Sequence, residues 1–271
     1  MNDSAQIIWQ DLTSIRETTP LIHNITNYVV MNNTANALLA LGASPVMAHA
    51  LNEVEEMVSL AAALVINIGT LNDDWIAAME RAMLFAKQLN KPIIFDPVGA
   101  GATTYRTKTT KKLLNIATPT VIRGNASEIA AIANQNITTK GVDSTQNSQT
   151  VVTVAQSLAN LYQCTVVISG AVDFVVSTER IFQIENGHPL MSKVTGMGCT
   201  ATALIGAFQA VNSDATLAAT HAMAVMGIAG EIAAEKSAGP GSLQINFLDT
   251  LYNLKVEDIA DRLKLNTNVT C

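Results

Sequence analysis

At 271 residues the chain is long for one domain but within reach of a single α/β unit, and it reads as one domain over 1–271. Hydrophobic residues make up 49% and charged residues 14%, a balance that predicts a high buried fraction and leaves room for a subunit interface. The formal net charge of −6, without a long basic run, argues against nucleic acid or an anionic membrane as a main partner.

Residues 1–12 carry neither a basic n-region nor a long apolar core, so they do not read as a secretory signal. The sequons at 24–26 and 136–138 then need no glycan. Helical spacing marks 31–41 and 52–62, a β-branched run marks a buried strand at 64–68, and 73–89 is the clearest helix. Asn72, Asp73 and Asp74 cap or charge its start. Strands follow at 93–96, 120–122 and 165–169, separated by helices at 126–133 and 149–162. This alternation predicts an α/β fold with a mostly parallel central sheet and helices on both faces. The segments 174–177 and 180–184 break the rhythm and read as a hairpin turning at Thr178-Glu179. From Cys199 onward the chain reads as helices. The stretches 194–211 and 215–234 are apolar and near spanning length, but Thr200, Thr202, His221 and Glu231 mark them as buried core helices. Cys164, Cys199 and Cys271 form no disulfide framework and no zinc pattern, which predicts a reducing, cytoplasmic setting.

Three regions carry chemistry. The run 193–203, KVTGMGCTATA, places Gly196 and Gly198 just before an apolar helix. Unpaired amides and the helix dipole make an anion cradle there; an ordinary tight turn before a buried helix is the alternative. No Gly-Lys-Ser/Thr follows, so this is not a Walker loop. Asp96 closes one strand and Glu128 follows the next, so both could meet a magnesium–phosphate complex; a turn residue and a first-turn helix charge are the plain alternatives. Arg123 at a strand end fits a phosphate or, otherwise, a surface ion pair. In 20–30, His23, Asn24, Thr26 and Asn27 are polar groups hemmed by apolar neighbours, either lining a ligand pocket or capping the next helix. Met47 reads as a soft contact for a small ring or as core. His49, His188 and His221 lack metal-like spacing, Cys164 reads as core, and Asp173 as shaping the turn after Gly170.

Together these segments resemble the hydroxyethylthiazole kinases of thiamine salvage, within the ribokinase-like superfamily. The resemblance is carried by His23-Asn-Ile-Thr-Asn, Leu41-Gly-Ala-Ser-Pro-Val-Met, the 64–70 segment, Asp96-Pro-Val-Gly-Ala, Arg123-Gly-Asn-Ala-Ser-Glu and Val194-Thr-Gly-Met-Gly-Cys, in order over residues 20–210. It implies ATP-dependent phosphorylation of 4-methyl-5-(2-hydroxyethyl)thiazole at its primary hydroxyl, a magnesium requirement, and a homotrimer with active sites near subunit boundaries. It also implies that Met47, Gly196 and Asn24 serve the thiazole, Arg123 and Ser169 the ATP, and Asp96 and Glu128 the magnesium–phosphate region. Gly196, Gly198 and Cys199 would form the anion hole. Cys199 stands where related sugar kinases keep an aspartate base. A helix start lowers a thiol pKa, yet a thiolate would repel the triphosphate, so an orienting role is expected. Another ribokinase-like reaction, such as phosphorylation of a pyrimidine alcohol or an ADP-dependent dehydration, and a nucleotide sensor that kept the fold are the competing readings. A dinucleotide oxidoreductase is excluded because no strand-following GxGxxG is present.

Overall fold

The computed structural model describes residues 3–136 and 148–267, so residues 137–138 of the second sequon and Cys271 lie outside them. In chain order the first half contains α1 (Asp3–Thr18), β1 (Leu21–Ile25), α2 (Met31–Leu41), β2 (Ser44–Val46), α3 (Val54–Leu60), β3 (Ala63–Asn67), α4 (Asp73–Gln88), β4 (Ile93–Asp96) and α5 (Thr104–Ile116). The second half contains β5 (Val121–Asn125), α6 (Ala126–Asn136), α7 (Ser148–Tyr162), β6 (Thr165–Ser169), β7 (Asp173–Val176), β8 (Ile181–Ile184), a short 3-10 turn (Pro189–Lys193), α8 (Met197–Val211), α9 (Ala215–Glu235), α10 (Pro240–Asn253), α11 (Val256–Arg262) and β9 (Leu265–Asn266).

The strands form one sheet in the order β2-β1-β3-β4-β5-β6-β7-β8-β9. The pairs from β2 to β6 are parallel, and β7, β8 and β9 close one side antiparallel. Alternation within each strand builds two cores. In β3, Ala63 and Val65 face one side and Leu64 and Ile66 the other. The first core is roofed by α1, α2, α8, α9 and α10, the second by α3 to α7. Burial on both faces explains the unbroken apolar runs of the parallel strands.

The expected strands and helices are present, with adjusted ends. The strand expected at 120–122 extends to Asn125, which puts Arg123 inside it. The hairpin is β7 and β8, joined where Ser177 N–H donates to Arg180 C=O at 2.9 Å. β1 had read only as a polar island, because His23 and Asn24 interrupt its apolar pattern; both are fully buried. α5, TYRTKTTKKLLNI, gives a weak periodic signal because Thr109 and Thr110 share its buried face with Leu113 and Leu114. β9 is two residues long and owes its conformation to pairing with β8. α9 is long and apolar enough to cross a membrane, but 83% of its apolar window is buried in the fold, as expected of a core helix.

Candidate active site

The carboxyl ends of β1, β3, β4, β5 and β6 meet the amino end of α8 at one rim of the sheet, the usual ligand edge of open α/β sheets. Gly196 caps α8 with φ +82°, a left-handed conformation that glycine adopts without strain. The first amides of α8 point out of the helix with the positive end of its dipole. Gly198 is required by contact: a Cβ there would lie 2.6 Å from Arg123 Nη1. The guanidinium is thus packed flat against the helix start.

Arg123 reaches that position from β5. Its Nη2 donates to Ser169 Oγ at the end of the neighbouring β6, and its Nη1 lies 3.7 Å from Asp96 Oδ2. Asp96 ends β4 with no exposed surface. Its Oδ2 accepts from Thr202 Oγ1 at 2.7 Å and Asn67 Nδ2 at 3.0 Å, while Oδ1 has no partner. Burial pushes the Asp96 carboxyl up to about 6, even with Arg123 and Thr202 favouring its ionised form. Arg123 and Asp96 are therefore neither a surface ion pair nor a simple turn residue. Glu128 sits in the first turn of α6. Its two oxygens accept from Gly99 N–H and Asn125 N–H, both at 2.8 Å, tying the loops after β4 and β5 together.

The network continues toward β1. Asn67 Oδ1 accepts from Asn27 Nδ2 at 2.8 Å, and Asn27 Nδ2 lies 3.6 Å from Cys199 Sγ. A line of polar groups thus runs from Cys199 through Asn27 and Asn67 to Asp96. Beside it lies a cleft of about 500 Å³ whose lining includes Arg123, Ser169, Gly198, His188, Met223 and Met226. This volume and mixed apolar–polar wall suit a small organic ligand. Met47 and Asn24 stand apart from that cleft. Met47 follows the edge strand β2, and Asn24 is fully buried in β1, donating to Ile22 C=O at 2.9 Å with its Oδ1 unpartnered.

A family model described as the hydroxyethylthiazole kinase family matches residues 12–257. The chain belongs to the hydroxyethylthiazole kinase family. It is 62% identical over 258 residues to the hydroxyethylthiazole kinase of Syntrophus aciditrophicus (strain SB), covering 95% of this chain and 96% of that protein. The structure of the hydroxyethylthiazole kinase protein from Pyrococcus horikoshii OT3 matches with a TM-score of 0.90 at 44% identity, covering 96% of this chain and 98% of the other. A ribokinase-like superfamily protein from Enterococcus faecalis V583 shares the fold at a TM-score of 0.64 and 13% identity, covering 88% of this chain and 87% of the other. The fold is therefore ribokinase-like, and the chain is an enzyme of a kinase family.

Against this family background, one expectation changes. The helix start does not lower the Cys199 thiol. Burial, followed by the nearby Asp96 carboxylate, pushes it up to about 11. In this hydroxyethylthiazole kinase family member Cys199 is a neutral thiol at physiological pH. The minor expectations stand differently. Cys164 is buried core, with its thiol pushed up to about 12 by burial. Asp173 Oδ1 accepts from Gly170 N–H at 2.9 Å, shaping that turn. Sequence reasoning missed Asn67 and Thr202. Asn67 had a usable signal, a lone amide ending a run of buried aliphatic residues, whereas Thr202 lies inside an apolar helix and is marked only by its contact with Asp96.

Proposed function

We propose that this enzyme transfers the γ-phosphoryl group of ATP to the primary hydroxyl of 4-methyl-5-(2-hydroxyethyl)thiazole, a step of thiamine salvage. The observation that carries the reading is the packing of Arg123 against Gly198 at the start of α8, with Asp96 3.7 Å away. A guanidinium packed beside the first helix amides suits stabilisation of a transferring phosphoryl group. Arg123 and Ser169 hold the ATP phosphates in the cleft. Gly196, Gly198 and Cys199 form the anion hole with their amides. Met47 and Gly196 serve the thiazole side, whereas Asn24, with no exposed surface, is held within β1.

Magnesium fits the acidic end of the site. No group of three or more His, Cys, Asp or Glu side chains suited to a metal occurs among the described residues. Magnesium bound to a triphosphate, however, needs only one or two carboxylates. Asp96 Oδ1 is buried and without a partner, and the Glu128 oxygens each keep a free lone pair. Bound there, the ion neutralises phosphate charge. With Cys199 neutral, the thiol orients the substrate hydroxyl, and the proton leaves late to phosphate or water. The chain acts as one domain over 1–271 in the cytoplasm, without nucleic-acid or membrane partners. A homotrimer is supported by the setting of Met47, past the edge strand β2 and close in sequence to exposed Leu51. There a neighbouring subunit would complete the thiazole pocket.

A coupled ADP-release assay tests the reading. ADP should appear only when the thiazole alcohol, ATP and magnesium are all present, with the phosphate ester seen by mass spectrometry. Turnover of a pyrimidine alcohol but not the thiazole, or nucleotide binding without turnover, would replace it.

A further inference from the structure

We propose that Arg106, outside the phosphate site, is a positioning residue for phosphoryl transfer. It stands in the first turn of α5, where Thr103 Oγ1 accepts from its own N–H at 3.2 Å. Its side chain crosses Gly99, which has φ +74° and where a Cβ would lie 2.9 Å from Arg106 Cδ. All three guanidinium partners are backbone carbonyls. Nη1 donates to Ile68 C=O at 2.8 Å and Val98 C=O at 2.7 Å, and Nη2 to Gly69 C=O at 2.7 Å.

Two of those carbonyls belong to peptide planes whose opposite ends hold site residues. The amide sharing a plane with Ile68 C=O is Gly69 N–H, which donates to Asn67 Oδ1 at 2.9 Å. The amide sharing a plane with Val98 C=O is Gly99 N–H, which donates to Glu128 Oε1 at 2.8 Å. A peptide unit is planar and rigid, so fixing the oxygen fixes the direction of the N–H. One guanidinium thereby sets the aim of two amides, and through them of Asn67 and Glu128. Asn67 in turn holds Asp96 at 3.0 Å. The planar fork of arginine matches this arrangement, and an ammonium can reproduce only part of it.

The proposal rests on the reading that Asp96 serves the transferring group, so three variants are compared: Arg106→Ala, Arg106→Lys and Asp96→Asn. Each is assayed for thiazole-alcohol phosphorylation below its melting temperature. ADP-binding stoichiometry by calorimetry counts the competent sites. Misaimed site groups should lower kcat per ADP-binding site about 30-fold or more in Arg106→Ala and about fivefold in Arg106→Lys, while the Kd for ADP stays within about threefold. A merely structural role would lower the number of ADP-binding sites and leave turnover per site unchanged. If Arg106→Ala does not fold, Arg106→Lys decides. Turnover per site within about twofold of the parent in Arg106→Lys, with Asp96→Asn inactive, overturns the proposal alone. A fully active Asp96→Asn enzyme overturns the underlying reading and the proposal with it.

Discussion

Cys199 illustrates how a residue's surroundings decide its chemistry. A helix start favours a thiolate, but Cys199 is largely buried and faces Asp96, and these two effects win, leaving the thiol at about 11. A thiol that stays protonated serves by contact, so Cys199→Ser should keep turnover within about tenfold, less than the loss of a general base would cause. Its pH–rate curve between about pH 7 and 9 should keep the parent shape, as steady-state kinetics would show. Asp173 makes a stability prediction. Burial pushes its carboxyl up to about 6 from 3.8, so the folded protein binds this proton more tightly than the unfolded chain. The cost of ionising it is therefore fully present above pH 6 and is relieved as pH falls toward 4. Asp173→Asn keeps an oxygen for Gly170 N–H and loses the charge. It should be more stable at pH 8 by on the order of 2 kcal/mol, with the gain gone near pH 4, measured by denaturant melts.

At the scale of elements, α8 combines two demands. Its body must pack tightly on the sheet: a Cβ at Gly206 would lie 2.8 Å from Val65 Cγ2. Its first turn must leave space for Arg123 at Gly198. Gly198→Ala should therefore cost both activity and stability. The added methyl pushes the guanidinium from its place, and kcat/KM for ATP should fall about 100-fold. Alanine suits a helix, but the displaced guanidinium loses its buried partners Asp96 and Ser169, so the melting temperature should fall. The two glycines of this turn were legible in sequence as a loop opening an apolar helix. That Gly198 is shaped around Arg123 was not, because 75 residues separate them along the chain and only the β5–α8 packing joins them.

At the scale of the molecule, the first helix is tied to the late helices α8 and α9. Asp11 in α1 accepts from Asn212 Nδ2 at 2.7 Å, and the same oxygen lies 2.6 Å from His221 Nδ1 in α9. This pair lies on the face opposite α3 to α7, away from the rim that carries Arg123 and Asp96. Asp11→Ala leaves a buried imidazole and an amide without their partner. It should cost about 1–3 kcal/mol, read from denaturant melts, with kcat unchanged below the melting temperature. The strand order is the other whole-molecule decision. β1 lies between β2 and β3, so Asn27, at the end of one strand, comes within reach of Asn67, at the end of the next but one in sequence.

The sequence by itself determined the fold class, the strand–helix alternation, and the residues whose motifs name the family: Asp96, Arg123, Glu128 and the 194–199 loop. These depend on local periodicity and on short runs of backbone chemistry, which a linear chain displays directly. The tertiary structure alone decided that Asn67 and Thr202 bond Asp96, that Arg106 holds the carbonyls of Ile68, Gly69 and Val98, that Glu128 holds two backbone amides, and that Cys199 stays a thiol. Those outcomes depend on sheet register and depth of burial. Neither is a property of any single segment, since both arise only when strands from distant parts of the chain lie side by side.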